Sequence, residues 1–273
     1  MKVKGKVVVV TGAGNGMGRK VSLELLRRGA RAVAAVDISQ ENLDETHKLA
    51  GELGGIISTH VVDISDSEQV AALPTSVVAQ HGQVDGLLNV AGIIHKFLTV
   101  NNLTYSDIER VFKVNFFGTV HMVKEFLPLL LARDEAQITN ISSMGSYVPV
   151  PGQTVYGASK AAVKLFTEGL RSELNGSHVG ANLVFPGAVA TNIAGNSGAF
   201  SEEQMKAMAN SPEAQKHKTT PADVAGRIIV DGFESNVFHG FAGSDARFMS
   251  RYSRLAPEAA AKLIQKQMAN LLA

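Results

Sequence analysis

The 273-residue sequence predicts an α/β fold, a single domain built as a doubly wound parallel sheet of about seven strands with helices on both faces. Three observations carry this expectation. Short β-branched runs alternate with stretches of helical period along the chain, with no linker, composition break or internal repeat. The first unit runs strand, glycine-rich turn, helix, strand and acid in that order. The length also suits one large α/β domain better than two.

The first strand is Lys6 to Val10, a β-branched run of the kind buried on both faces of a parallel sheet. Gly12 breaks it, and Met17 to Arg28 then shows helical spacing through Met17, Val21, Leu25 and Leu26, with Gly29 as its C-terminal cap. Between them stand Gly12, Gly14, Gly16 and Gly18. Glycine there lets the chain turn sharply and lets backbone approach a pyrophosphate, which the N–H groups of a helix start would receive. A second strand, Arg31 to Val36, ends in Asp37, placed to accept from a ribose 2′-OH.

A helix over Glu41 to Leu53, the pair Gly54-Gly55 and a strand over Ile56 to Val62 follow, closed by Asp63 and Ile64. Asp66 is read as the cap of a helix running Ser67 to Gln80. Val84 to Leu88 is the next strand and leads into Asn89-Val90-Ala91-Gly92, whose small residues permit close approach of a ligand. Leu103 to Leu131 reads as one long helical stretch. Its Phe112, Phe116, Phe117 and Phe126 suit core and subunit interface, and Asn115 is a polar residue amid apolar neighbours.

Ala136 to Ile141 forms a fifth strand, and a helix over Val155 to Leu174 carries Tyr156 and Lys160 four positions apart. That spacing stacks both side chains on one helix face. A free phenol titrates near pH ~10, and an ammonium one turn away is expected to lower it and make Tyr156 an acid/base. Taken alone the pair equally describes an amphipathic helix with two snorkelling side chains. Val179 to Phe185 and Val237 to Ala242 complete the strands, and Pro257 to Leu272 is a last helix.

Taken together, Thr11-Gly12-x-x-x-Gly16-x-Gly18, Asn89-Val90-Ala91-Gly92, Asn115, Ser143, Tyr156-x-x-x-Lys160 and Pro186-Gly187-x-Val189-x-Thr191 resemble the motifs of the classical short-chain dehydrogenases/reductases. They fall in that family's order from about residue 5 to residue 195. One departure is Val90, where the family commonly has a second asparagine. The resemblance implies a Rossmann-type domain binding NAD, with hydride transfer between C4 of nicotinamide and a carbonyl or alcohol carbon. It implies Asn115, Ser143, Tyr156 and Lys160 as catalytic residues. Ser143, thirteen positions before Tyr156, would hold the substrate oxygen, Tyr156 would move its proton, and Lys160 would lower the Tyr156 pKa and grip the nicotinamide ribose. Asn115 would bend its helix and order a water leading to Lys160. The implied cofactor site takes in Gly12, Asn15, Gly16, Met17, Gly18, Asp37 and Ile38, with Asp63 and Ile64 at the adenine. It continues through Asn89, Ala91 and Gly92 to Tyr156 and Lys160, and ends at Pro186, Gly187, Val189 and Thr191 around the carboxamide. Asp37, with Asn15 adding no positive charge, favours NAD(H) over NADP(H). Residues 192–220 are read as a substrate-binding loop and residues 255–273 as a helical tail.

Composition excludes several alternatives. A net charge of +1 and a pI near 8.0 suggest no nucleic-acid or membrane-surface partner. No apolar run approaches the ~20 residues of a transmembrane helix, so a soluble, cytoplasmic protein is expected. No cysteine is present, and the eight histidines show no ligand pairing that would suggest a metal. His95 and His121 are read as structural or surface residues, and Lys216-His217-Lys218 as a solvated loop. Ser143 lacks a G-x-S-x-G elbow, which argues against a serine hydrolase. Ser142, at a strand end, reads as structural. The broad apolar surface of the Tyr156 helix suggests a homodimer or homotetramer. No charged side chain occurs from Ala136 to Ser159 or from Leu183 to Ser201. Met144, Tyr147, Val148, Val150, Ile193, Ala194 and Phe200 would therefore line an apolar pocket for a neutral secondary alcohol or ketone; the alternative is that they pack on one another, or that Lys96, Lys206 or Lys216 reaches in. The rival functions are a non-catalytic nucleotide sensor or scaffold and a sugar-nucleotide epimerase or dehydratase.

Overall fold

A computed structural model describes residues 1–53, 56–199 and 219–268. Seven parallel strands form one sheet: β1 (Val7–Thr11), β2 (Ala32–Asp37), β3 (Ile57–Val61), β4 (Gly86–Asn89), β5 (Ala136–Ile141), β6 (Val179–Pro186) and, after the short β7 (Val189–Ala190) and β8 (Thr220–Pro221), β9 (His239–Ala242). Their order is β3-β2-β1-β4-β5-β6-β9. Strand order reverses between β1 and β4, so their connections depart in opposite directions and open a crevice at the carboxyl ends. Thr11 and Asn89 stand opposite each other at that mouth.

Both faces of the sheet are covered, which explains the uninterrupted apolar strands. Val8, Val10, Val33, Ala35 and Leu88 pack against Leu25 of α1 (Gly16–Arg27), Leu43 of α2 (Gln40–Gly51), and Ile229 and Phe233 of the helix Ala222–Ser235. Their neighbours Val9, Ala34, Val36, Leu87 and Ile138 face the other way. There they meet Val77 of α3 (Ser67–His81), Phe126 and Leu130 of α5 (Gly118–Leu131), and Leu170 of α6 (Thr154–Glu173). Among the described residues no helix is long and apolar enough to cross a membrane.

The long helix expected over Leu103 to Leu131 is three pieces. Thr104 and Asp107 form a capping box that starts α4 (Tyr105–Phe112), a π-helical turn spans Lys113–Phe117, and α5 follows. Of its aromatics, Phe126 is fully buried while Phe117 is half exposed. The last strand begins at His239 rather than Val237, because Val237 and Phe238 remain at the surface. The β7–β8 pair and the helices Ala222–Ser235 and Ser244–Leu255 were not expected. The first of these helices carries glycines at its packing face, and the second buries only Ala246, Met249 and Ser250 in an otherwise polar sequence. The helix Pro257–Gln267 matches the expected tail as far as it is described; its predicted end at Leu272, like Gly54-Gly55, lies outside the described residues.

The crossing of α1 over β1 is set by glycine. A Cβ on Gly18 would lie 2.0 Å from the Gly12 carbonyl oxygen, so no side chain fits between helix and strand. Gly18→Ala is expected to cost about 1–3 kcal/mol of stability through this overlap, read as a lower urea midpoint with an unchanged slope. A midpoint equal to that of the wild type would show that the contact is not tight.

Candidate active site

The crevice between β1 and β4 is lined by bare backbone. Gly12 has φ +66°, and a Cβ there would lie 2.9 Å from the Ala91 Cα. Gly16 has φ +51° and faces the Thr191 side chain, the nearest atoms standing 3.6 Å from an ideal Cβ. The Asn89-Val90-Ala91-Gly92 segment is fastened to β1 by Thr11, whose Oγ1 accepts from the N–H groups of Val90 (3.0 Å) and Ala91 (3.1 Å). Val90, the departure from the family pattern, turns its side chain into the core beside α1, and its backbone N–H supplies that tie. Asn89 Nδ2 donates to Asn140 Oδ1 (2.8 Å), and Asn140 Nδ2 to Thr167 Oγ1 (2.9 Å), joining β4, β5 and α6.

Asn15 caps α1, its side chain accepting from Gly16 N–H (2.6 Å), and Met17 sits in the first turn behind it. Asp37 ends β2 beside the same loop. Its Oδ2 accepts from Gly14 N–H (3.0 Å) and its Oδ1 from Ser39 N–H (3.1 Å). Each carboxylate oxygen retains a second acceptor site. Ile38 is exposed at the edge of the crevice. Arg19 braces the loop from behind, donating through Nε to Gly14 O (2.9 Å) and pairing through Nη2 with Glu45 (2.7 Å). Further along, Asp63 Oδ1 accepts from Ser65 N–H (2.9 Å) and Oγ (2.7 Å), and buried Ile64 gives its carbonyl to His121 Nδ1 (3.0 Å). Asp66 caps α3.

At the deep end the structure brings Asn115, Ser143, Tyr156 and Lys160 together. Asn115 is fully buried in the π turn. Its Oδ1 accepts from Ile93 N–H (2.8 Å), its Nδ2 donates to Ile93 O (2.9 Å) and Ser159 Oγ (3.0 Å), and its carbonyl accepts from Thr119 Oγ1 (2.8 Å). A hydroxyl bonded to a carbonyl one turn back competes with the regular ladder, which fits a local widening there. Lys160 is buried and donates to Ile141 O (3.0 Å). A Cβ on Gly92 would lie 3.0 Å from its Nζ and 3.3 Å from Asn115 Oδ1, so that glycine, the ammonium and the amide share one spot. Ser142 Oγ donates to the Lys160 carbonyl (2.8 Å) and holds the helix to β5.

Ser143 Oγ accepts from Gly145 N–H (3.1 Å), and it and the Tyr156 ring both lie against Gly145, which sets the serine hydroxyl beside the phenol. The electrostatics correct one expectation. Burial raises the Tyr156 pKa above its ordinary value; the Ser143 hydroxyl opposes this but does not overcome it. Burial also lowers Lys160 from 10.5 to about 8. The expected depression of the phenol by Lys160 is therefore not what this arrangement produces: desolvation dominates at Tyr156, and the Lys160 ammonium is turned onto Ile141 O.

The nicotinamide-side candidates follow β6. Pro186 ends the strand, Gly187 N–H donates to Ala242 O (3.0 Å), and Val189 pairs with Thr220 in the short parallel ladder β7–β8. Residues 192–199 fold back so that Ser197 Oγ accepts from Ile94 N–H (3.1 Å). Ile193 and Ala194 are partly buried there. Val148 is not free to touch a ligand, since it is buried against Met249, Ala260 and Ile264, with Met144, Tyr147 and Val150 packed around it. Phe200, Lys206 and Lys216-His217-Lys218, with most of the expected 192–220 loop, lie outside the described residues. The sequence reading of His95 as structural or surface holds in that it is buried, and Gln153, for which the sequence carries no expectation, is buried with it. Gln153 donates through Nε2 to His95 O (2.6 Å), and Gln153 Oε1 and His95 Nε2 are buried without a partner. Gln153 is the N-cap residue of α6, immediately before the helix that carries Tyr156, a place that could have drawn attention to it.

Comparison with known proteins matches residues 6–202 to the family model for short chain dehydrogenases. The chain is 34% identical over 263 residues to the provisionally named oxidoreductase SadH of Mycobacterium tuberculosis, covering 96% of this chain and 94% of that one. Among solved structures, a short chain dehydrogenase/reductase from Burkholderia phymatum in complex with NAD superposes with a TM-score of 0.82 at 26% identity, over 93% of this chain and 96% of that one. A short chain dehydrogenase from Burkholderia cenocepacia in complex with NADP gives 0.78 at 25% identity, over 97% and 99%. A glycine-lined crevice at the strand reversal, a serine beside a tyrosine, a buried lysine one turn on, and a family match across most of the chain lead to one conclusion: this protein belongs to the short-chain dehydrogenase family.

Proposed function

We propose that the protein is an NAD(H)-dependent oxidoreductase that interconverts a secondary alcohol and a ketone, with Asn115, Ser143, Tyr156 and Lys160 as its catalytic set. The observation that carries this reading is the gathering of these side chains at one end of the crevice, Ser143 and the Tyr156 ring both lying against Gly145 and buried Lys160 and Asn115 both facing Gly92. A sensor or scaffold has no need of that set, which argues against one.

The crevice fits a nicotinamide dinucleotide, because Gly12, Gly14 and Gly92 keep side chains out from between its walls, where a Cβ would press on Ala91, Asp37 and Lys160 Nζ in turn. Gly12, Asn15, Gly16, Met17 and Gly18 would hold the pyrophosphate at the start of α1. Asp37 and Ile38 would take the adenosine ribose, Asp63 and Ile64 the adenine, and Asn89, Ala91 and Gly92 the middle of the molecule. Pro186, Gly187, Val189 and Thr191 would take the carboxamide end. When bound, NAD(H) supplies the hydride acceptor or donor.

The side chains supply the proton and its control. Ser143, its oxygen polarised by Gly145 N–H, donates to the substrate oxygen and shares it with Tyr156. Burial keeps the Tyr156 phenol protonated at neutral pH, ready to protonate a ketone oxygen, and it must lose that proton before it can accept one from an alcohol. Lys160, with a pKa near 8, is chiefly an ammonium at pH 7; one proton goes to Ile141 O and two remain for the nicotinamide ribose hydroxyls. Asn115 fixes the Ile93 peptide and Ser159 around this pair.

Asp37 supports NAD(H) over NADP(H), since a 2′-phosphate would face its charge. Arg19, the cation behind the loop, is already held by Glu45 and Gly14 O. The apolar character of Ile193 and Ala194 supports a neutral substrate. Exposed Leu165 on α6, with Phe117 and Leu131 half exposed at the ends of α5, supports a homodimer or homotetramer.

Tyr156→Phe is expected to keep the fold and NADH binding while losing ~10²–10⁴-fold in turnover. In the wild type, alcohol oxidation should accelerate and ketone reduction slow as pH rises, because the phenol must be ionised for one and protonated for the other. Turnover of the Phe variant within a few-fold of the wild type, or pH profiles of the same sign in both directions, would refute the assignment. Steady-state kinetics should also favour NAD(H) over NADP(H) and neutral over matched anionic ketones, and the opposite order in either comparison would overturn that part of the reading. Light scattering at micromolar concentration should give a dimer or tetramer, and a monomer would remove the oligomer.

A further inference from the structure

The loop after β6 is held from three sides. Gly187 N–H donates to Ala242 O (3.0 Å), Thr220 N–H donates to Ala188 O (2.8 Å), and Ala188 N–H donates to Asp245 Oδ2 (2.8 Å). The first two are backbone contacts that many sequences could make. The third depends on one side chain. Asp245 lies in the first turn of the helix Ser244–Leu255, where a carboxylate ordinarily serves its own helix end. Here that helix has no side-chain cap, and the carboxylate reaches across to the loop instead. It is pressed close: a Cβ on Gly187 would lie 2.1 Å from Asp245 Oδ2, and one on Gly243, at φ +125°, would lie 2.3 Å from Oδ1. Glycine on both sides is what admits the carboxylate.

The same helix turn is tied to the opposite wall of the site. Tyr147, in the turn that follows Ser143, donates its hydroxyl to Ala246 O (2.6 Å). Burial, and next the charge of Asp245, hold the Tyr147 phenol well above its ordinary pKa, so it stays a donor. One turn of helix thus joins the serine loop and the loop after β6.

We infer that Asp245 is a positioning residue for the nicotinamide end of the cofactor, acting through the peptide between Gly187 and Ala188 on Val189 and Thr191. The inference rests on the oxidoreductase reading above. An ionised acceptor makes a stronger hydrogen bond to Ala188 N–H than a neutral one. With that peptide fixed, Val189 enters the β7–β8 ladder and Thr191 N–H reaches Val189 O (2.9 Å). A loop ordered before the ligand arrives spares the entropy of ordering it on binding. Asp245 also borders an open cleft of about 660 Å³ lined by Thr220, Pro221, Phe241 and Phe248 among others. Truncating it therefore exposes the site to water rather than leaving a dry cavity, and the variant is expected to fold.

The test compares wild type, Asp245→Ala and Asp245→Asn as full-length proteins, titrated with NADH by fluorescence and with ADP-ribose by calorimetry. ADP-ribose carries the adenosine and pyrophosphate but no nicotinamide. Asp245→Ala is expected to bind NADH about tenfold more weakly and to bind ADP-ribose within about twofold of the wild type. Asp245→Asn, which keeps an acceptor oxygen, should fall between wild type and Asp245→Ala for NADH. Unchanged NADH affinity in Asp245→Ala, or an equal loss for both ligands, would overturn the inference while leaving the oxidoreductase reading intact. A wild type that binds no NADH would overturn that reading, and the inference with it.

Discussion

The site depends on the close approach of bare backbone at the point where the strand order reverses. Between β1 and β4 the connections leave in opposite directions, and the resulting crevice has Gly12 against the Ala91 backbone on one side and Gly16 against the Thr191 side chain on the other. Gly18 lets α1 settle onto the turn from which it starts. A β-carbon on Gly12 or Gly18 would collide with facing backbone, and one on Gly16 would be strained by its positive φ. Thr11 then locks the geometry, because one hydroxyl oxygen receives two consecutive N–H groups from the facing segment. The crevice is thus built from hydrogen bonds and absent side chains rather than from a lining of large residues.

A chain of buried amides carries this constraint to the chemical end. Asn89 to Asn140 to Thr167 links two central strands to α6, and Asn115 links the π turn to Ile93 and to Ser159 beside Tyr156. Buried polar groups are costly unless paired. Most of these amides are paired in a way that only one arrangement of strand, helix and loop satisfies, so the network gives α6 a single seat. Lys160 is set by the same logic, held between Ile141 O and the open space at Gly92. The desolvation that lowers its pKa also raises that of Tyr156, in keeping with a phenol that is protonated at rest.

The carboxyl-terminal helices bear on the site from outside. Met249, Ala260 and Ile264 bury Val148, and the first turn of the helix Ser244–Leu255 reaches both the serine loop and the loop after β6. Residues such as Met144 and Val150, which look like pocket lining in the sequence, spend apolar surface on this packing.

Much of the fold was legible because its signals are local. The Val7–Val10 run, the glycines before Met17 and the acid at Asp37 each announce a strand, a turn or a strand end through steric and periodic rules acting over a few residues. The spacing of Tyr156 and Lys160 put both on one helix face, and the order of motifs marked the family. The break at Asn115 was not legible, because a π turn is decided by partners such as Thr119, Ile93 and Ser159 that meet the asparagine only once the helix is packed. Nor was the helix Ser244–Leu255, whose spacing is amphipathic but whose buried Ala246 and Met249 find their partners only once Val148 and the last helix are in place. The sign of the Tyr156 shift also escaped, since spacing specifies that a lysine is near but not how deeply the phenol is buried or where the ammonium points. The sequence by itself therefore determined the succession of the seven sheet strands, the glycine turn and the set of candidate site residues. Tertiary structure alone decided their protonation, the seat of Asn115 and the reach of Asp245 to Ala188, because desolvation and long-range hydrogen bonds exist only between elements already brought together.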